Sequence, residues 1–303
     1  MLEEIKVRTM LQKVRAIELR TRTTMNNALA GSYHSIFKGQ GVNFEEIREY
    51  TPGDEVRFID WNTSAKLGKP FIKIFREERE LTLILAIDIS QSMGYGATEQ
   101  SKREFATEVA SVLAFSALKN NDKVGLILFA EGIEKFVPPQ KGRQALLRII
   151  REALFFKPNT KKTDFSVCIA SLQKMLKKRS IVCLLSDFMP TTNAVSQASL
   201  IEGLARLNQH HDLLCLRVED PRERAIPDVG IIALEDAETQ QKIYIDTHSK
   251  KVKTLLEKNQ SQRWDTFARE CQRSGIDLLS LVNGQTYITA LKNFFSQRQR
   301  SHL

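Results

Sequence analysis

Residues 84–96 read ILAIDISQSMGYG. An apolar run leads into Asp88, Ser90 and Ser92 follow at every second position, and Gly94 and Gly96 come next. Side chains at i, i+2 and i+4 of an extended segment share one face. An acid and two hydroxyls therefore point the same way from the carboxyl end of a buried strand. In doubly wound sheets that end is where ligands bind, at the point where strand order reverses.

The sequence around this stretch alternates between two periods. Strand-length apolar runs are LTLILAID (81–88), DKVGLILFA (122–130), the short IEKFVP (133–138), IVCLLSD (181–187), DLLCLRV (212–218) and IDLLSL (276–281). Helical spacing of apolar residues falls over 99–118, 143–155, 163–178, 199–207 and 252–273. Strands this apolar are covered on both faces, which predicts an α/β fold with a doubly wound, mostly parallel six-stranded sheet and right-handed crossovers. Two regions interrupt the alternation. Residues 31–80 hold β-like pieces, VRFIDW (56–61) and PFIKIF (70–75), around the turn TPGDE (51–55), and predict a small β-rich segment. Residues 229–246 read as a hairpin inserted before the last long helix. The organisation expected is an N-terminal helix over 1–30, the β-rich segment over 31–80, the α/β domain over 81–295, and a basic tail over 296–303.

Bulk properties remove several function classes. The chain has 303 residues, 42% hydrophobic and 27% charged, a globular composition. No apolar run approaches the roughly 20 residues of a membrane span. The first 20 residues lack the apolar core of a signal peptide. Four cysteines (Cys168, Cys183, Cys215, Cys271) stand far apart with no paired spacing, and read as reduced core residues of a cytoplasmic protein. Net charge is +9, and residues 247–303 carry 10 basic against 4 acidic side chains. No aromatic residue interleaves with the basic ones in the tail QRQRSHL, which argues against nucleic acid and for a solvated face.

Several chemistries compete for the strand-end motif. Gly94 to Glu99 half-resembles GxGxxG, but the third glycine position is Glu99, and two acids would face a pyrophosphate. Phosphoryl transfer through an Asp nucleophile needs a second carboxylate two residues on, where this chain has Ser90. A serine hydrolase lacks its GxSxG, and none of the five histidines follows a strand. A hydroxyl-rich divalent metal site fits better. Mg²⁺ takes octahedral oxygen ligands and keeps waters, so Ser90 and Ser92 can ligate while Asp88 holds a coordinated water. Further oxygens are offered by Thr163, opening a helix after KPNTKK, and by Asp187, ending the strand IVCLLSD. Thr160 rivals Thr163, and Asp164 adds a charge beside it. Each residue alone reads as a cap or turn; together, at three strand ends, they favour the metal.

This pattern, DxSxS after a strand, then a loop Thr, then an Asp ending a later strand, resembles the von Willebrand factor A-type domain and its metal-ion-dependent adhesion site. The resemblance covers about residues 78–295 and makes IEKFVP an antiparallel edge strand. It implies that Ser90 and Ser92 bind the metal directly, that Thr163 does so directly or through water, and that Asp88 and Asp187 act mostly through water. The metal would be Mg²⁺, or Mn²⁺ or Ca²⁺, with one position open to a partner's carboxylate. Upstream, FEEIREYTPGDEVRFIDWNTSAK (44–66), with IIALEDAETQQKIYIDT further on, resembles the bacterial domain-of-unknown-function family fifty-eight. That resemblance implies an accessory protein of a MoxR-type AAA+ ATPase, acting with it in chaperone-like maturation of client proteins.

Nine acidic and eight basic residues fall within 31–80. Their expected role is structural, with Arg48, Asp54, Arg57 and Asp60 satisfying one another at a seam and Trp61 anchoring a core. The function expected is a non-catalytic, metal-dependent interaction module whose partner is the ATPase or its client, with neither nucleic acid nor an integral membrane segment. The alternatives are a divalent-metal hydrolase using Asp88 and Asp187, and an anionic-surface binder using the basic C-terminal region.

Overall fold

The computed structural model describes residues 12–21, 43–76, 80–96, 100–159, 165–189, 194–224, 229–235 and 242–301. The chain divides into two compact units, 37–81 and 1–36 with 82–303.

In the smaller unit, β1 (Asn43–Glu49) pairs antiparallel with β2 (Phe71–Arg76). Here VRFIDW departs from the strand expected of it. Val56–Phe58 forms a 3₁₀ turn, and Trp61–Leu67 a short helix. The reason is Asp60, whose carboxylate accepts from the amides of Asn62 (3.1 Å) and Thr63 (3.3 Å) and from the Thr63 hydroxyl (3.1 Å). That local bond caps a helix and competes with a sheet ladder. The strand partner comes instead from NFEEIRE, whose three glutamates and single arginine conceal it. Gly68, at φ +69°, ends the helix in the left-handed conformation.

The turn TPGDE is held by charge. Arg48 grips Asp54 through two bonds of 2.9 and 2.7 Å, and the Thr51 amide and hydroxyl each reach Asp54 at 2.8 Å. The Arg48 guanidinium and these donors hold the Asp54 carboxyl well below the usual range. Arg57 pairs with Glu55, Lys69 with Glu49 and Lys73 with Asp60, so these ionic pairs are internal to the unit. Trp61 is 70% exposed and anchors no core.

The larger unit is built on β3 (Thr82–Asp88), β4 (Lys123–Phe129), β5 (Ile133–Gln140), β6 (Ile181–Ser186) and β7 (Asp212–Glu219), with a hairpin of β8 (Ile231–Glu235) and β9 (Lys242–Asp246), and finally β10 (Asp277–Val282). The six-stranded sheet runs β10-β7-β6-β3-β4-β5, and the hairpin forms its own two-stranded sheet. The strands are parallel except for β5, which lies antiparallel on the edge beside β4. IEKFVP is thus the antiparallel edge. The described helices that flank these strands are Lys102–Lys119, Arg143–Phe155, Phe165–Met175, Ala194–His210, Lys250–Arg273 and Tyr287–Ser301.

Burial explains the apolar runs. From Leu83 to Asp88 no residue of β3 reaches solvent, and β6 is buried along its whole length. Ile84, Ala86, Ile127, Phe129, Val182 and Leu184 share a cluster with Cys168, Leu172, Leu204 and Phe267 from the helices that follow β5, β6 and β9. The Lys102–Lys119 helix packs on Arg143–Phe155, and Phe105 meets Tyr287 edge-on at 5.5 Å, which brings in the last helix. Residues 12–21 are helical and are tied to the same group by Glu18, which accepts from Arg143 at 2.6 and 3.1 Å.

The sequence expectation of a tail from residue 296 is corrected by that last helix, which continues to Ser301. Arg298 is buried and pairs with Asp212 and, at 2.7 Å, with Asp277, the first residues of β7 and β10. The two acids, both partly exposed, begin neighbouring strands and answer the charge of the buried guanidinium. All four cysteines are buried free thiols.

Two substitutions separate this packing from the sequence expectation. Leu184→Ala should cost about 2–5 kcal/mol in chemical denaturation, because the residue is fully enclosed. Trp61→Ser should change stability by no more than about 0.5 kcal/mol, as for other exposed sites.

Candidate metal site at the carboxyl edge of the sheet

The strand order places the site. From β3 the chain crosses to β4 on one side, and β6 returns to the other side of β3 before passing on to β7. The carboxyl ends of β3 and β6 therefore lie at the reversal, the place where doubly wound sheets bind their ligands. Asp88 ends β3, Ser186 ends β6, and Asp187 follows it.

Asp88 is wholly buried. One of its oxygens, Oδ1, accepts the Ser90 amide at 2.8 Å, and the other, Oδ2, accepts the Ser186 hydroxyl at 2.7 Å. Both oxygens are thus fixed. The Ser90 and Ser92 hydroxyl oxygens lie 3.1 Å apart, at the start of a 3₁₀ turn spanning Gln91–Gly94. Ligands on adjacent corners of an octahedron, at the metal–oxygen distances of Mg²⁺, stand roughly 3 Å apart. The two hydroxyls therefore already have the separation of neighbouring ligands, and the set fits a hard divalent cation. Among the described residues no three His, Cys, Asp or Glu side chains cluster as metal ligands. The oxygen groups at this edge are two hydroxyls, Ser90 and Ser92, and two carboxyls, Asp88 and Asp187.

The turn after the serines is tightly constrained. The Tyr95 carbonyl accepts the Lys102 amide at 2.9 Å. A Cβ on Gly96 would stand 2.4 Å from the Gln100 carbonyl oxygen and 2.8 Å from the Ser101 Cα, so only glycine fits. Ser101 and Glu104 form a capping box at the start of the helix. This pins the helix start beside the motif.

Asp187 is placed by its neighbours. Its Oδ1 accepts the Met189 amide at 3.3 Å, and its Oδ2 accepts the Lys102 ammonium at 2.8 Å. Lys102 is 2% exposed and also bonds Glu223, which accepts the Asp220 amide at 3.2 Å. Phe188 sits at φ +45°, a region costly for a bulky side chain. It is held there by ring contacts with Phe165 (5.8 Å, stacked) and Phe267 (6.0 Å), and by its amide bond to the Ser186 hydroxyl (3.0 Å). The kink turns the chain at the end of β6.

Of the five residues expected at the site, Asp88, Ser90, Ser92 and Asp187 come together at this edge. Thr163 lies outside the described residues, as do Thr160 and Asp164. Sequence reasoning missed Ser186, Lys102 and Glu223. Ser186 was legible as a second hydroxyl at the end of an apolar strand. Lys102 and Glu223 carried no such signal, since SKRE and DPRER read as ordinary charged helix starts.

Comparisons with known proteins cover most of the chain. The family model described as "Protein of unknown function DUF58" matches residues 46–265. The uncharacterized protein Rv1480 of Mycobacterium tuberculosis is 27% identical over 294 residues, 96% of this chain and 90% of that one. The uncharacterized protein YeaD of Bacillus subtilis is 33% identical over 106 residues, 35% of this chain and 24% of that one. Among solved structures, conserved hypothetical protein BatB from Bacteroides thetaiotaomicron gives a TM-score of 0.47 at 18% identity, over 73% of this chain and 99% of that one. A von Willebrand factor type A structure from Catenulispora acidiphila gives 0.40 at 13%, over 76% and 44%.

The electrostatics of Asp88 lead to a measurable consequence. Burial, and next the Asp187 charge, push its carboxyl from 3.8 up to about 7, against the hydrogen bonds from Ser186 and Ser90. The fold thus favours the protonated form. Its stabilising contribution is complete below the unfolded value and is lost as pH rises through about 7. In EDTA, the melting temperature should therefore fall between pH 5 and pH 8. Asp88→Asn should remove much of that slope and melt a few degrees higher than wild type at pH 8, read by differential scanning fluorimetry.

Proposed function

The chain belongs to the DUF58 family, proteins of unknown function, and from that premise we propose that it is a non-catalytic interaction module working through a divalent cation, Mg²⁺ or a similar ion, at Asp88, Ser90, Ser92 and Asp187, with Thr163 as a further ligand. The observation that carries this reading is the pair of serine hydroxyls, 3.1 Å apart, beside a carboxylate whose orientation is locked. A bound cation would supply an electrophilic position for a carboxylate oxygen of a partner.

The residues of the chain support recognition over turnover. Ligation by two neutral hydroxyls, with both Asp88 oxygens bonded within the fold and Asp187 paired to Lys102, leaves part of the positive charge of an ion uncompensated, so an acidic side chain of a partner is attracted to it. Asp88 is enclosed with both oxygens bonded, a poor position for a nucleophile that must reach a phosphorus or carbonyl centre. Asp187 is engaged by a lysine and an amide. Ser90 stands where an aspartyl phosphotransferase carries its second acid. No helix among the described residues is long and apolar enough to cross a membrane. The partner proposed is a MoxR-type AAA+ ATPase or one of its clients, and the compartment the cytoplasm. The role is accessory, in maturation of those clients.

The test is capture of the purified candidate ATPase on immobilised protein, in Mg²⁺ and in EDTA, with wild type and Ser90→Ala. Capture should occur with wild type in Mg²⁺ and fall at least about tenfold in the other three arms, while thermal melts stay cooperative. Equal capture in all four would overturn the reading. The chain alone should turn over neither ATP nor a phosphomonoester, and turnover abolished by Asp88→Ala would establish the hydrolase instead.

A further inference from the structure

Lys102 breaks two local rules. It is a cation at the first position of a long helix, where the helix dipole favours anions. It is also buried, where an ammonium is costly unless its charge is answered. Two carboxylates answer it, Asp187 at 2.8 Å and Glu223. One carboxylate already balances the charge of the ammonium, which has three N–H groups to place. Two acceptors leave the ammonium a place to remain when one of them turns to another cation. The acceptors differ in the way this requires: Asp187 belongs to the site at the end of β6, whereas Glu223 sits on the separate turn Pro221–Arg224, more open to solvent and anchored by the Asp220 amide.

We propose that Lys102 is a resident counter-cation that competes with a divalent ion for Asp187, with Glu223 retaining the ammonium when Asp187 is drawn to the ion. This rests on the metal reading of the site and adds its regulation. Lys102 occupies Oδ2 of Asp187 and sets a built-in cost on loading. Affinity for the bare ion is kept low, so occupancy depends on a ligand that adds negative charge. The linkage is reciprocal: the factor by which the Lys102–Asp187 bond weakens ion binding is the factor by which a bound ion loosens that bond.

The experiment is titration of the intact, EDTA-stripped chain with MnCl₂ by isothermal calorimetry, together with melts in and out of Mn²⁺. Like charges a few ångströms apart repel strongly even in a well-screened interior. Lys102→Met should therefore bind Mn²⁺ at least about tenfold more tightly than wild type, and Mn²⁺ should raise its melting temperature more. Glu223→Gln gives the ammonium wholly to Asp187 and should bind Mn²⁺ several-fold more weakly. Opposite shifts in the two variants support the competition. Equal Mn²⁺ affinity in wild type and Lys102→Met, lost from both on Ser90→Ala, would overturn it while leaving the metal site standing. If Lys102→Met does not fold, Glu223→Gln decides alone, and unchanged or tighter binding overturns the proposal. No Mn²⁺ binding by any of the proteins would sink the metal reading, and this inference with it.

Discussion

A carboxylic acid held without solvent at the end of the central strand is the constraint around which the larger unit is arranged. Asp88 could not lie there unless both its oxygens were bonded, since an unanswered buried carboxyl is among the costlier groups a fold can hold. Ser90 answers one oxygen from its own strand end, and Ser186 answers the other from the neighbouring strand. The second bond needs β6 beside β3 in the register that sets Ile87 against Leu185. The strand order that sets the reversal beside Asp88 is therefore the same order that makes the acid tolerable.

Around that acid the chain departs from its own local preferences, and the departures coincide in space. Phe188 adopts a backbone conformation suited to glycine. Lys102 opposes a helix dipole. Gly96 leaves no room for a side chain. Elsewhere local preference and global fold agree: the Asp60 cap and the αL Gly68 are ordinary solutions to helix ends. Sequences that are consistent across levels in most places and inconsistent at one edge usually carry their chemistry at that edge.

The same contrast explains what could be read without coordinates. The six strands were legible because a sheet covered on both faces demands continuous apolar runs, and the period change between strand and helix is strong. Asp88, Ser90, Ser92 and Asp187 were legible because a polar residue ending such a run is conspicuous. VRFIDW misled because its apolar and β-branched content suits a strand, while Asp60 decides the conformation through one short-range bond. NFEEIRE was hidden by its charges. The last helix was obscured by a basic end, although Arg298 faces inward to two acids. Lys102 and Glu223 lie 121 residues apart in sequence and take their meaning from a pairing that no local pattern announces.

The four enclosed thiols extend what the core can report. Cys183 and Cys215 lie on adjacent strands, and Cys168 and Cys271 on two of the helices packed against them. Burial pushes the Cys183 and Cys271 thiols up to about 12 and raises Cys215 as well. The reactive thiolate is therefore scarce in the native protein. Alkylation becomes a clock for opening events, with each cysteine timing its own layer. A region that yields its thiol early has parted from the sheet before the rest, so the order of modification would draw the hierarchy of stability across the unit.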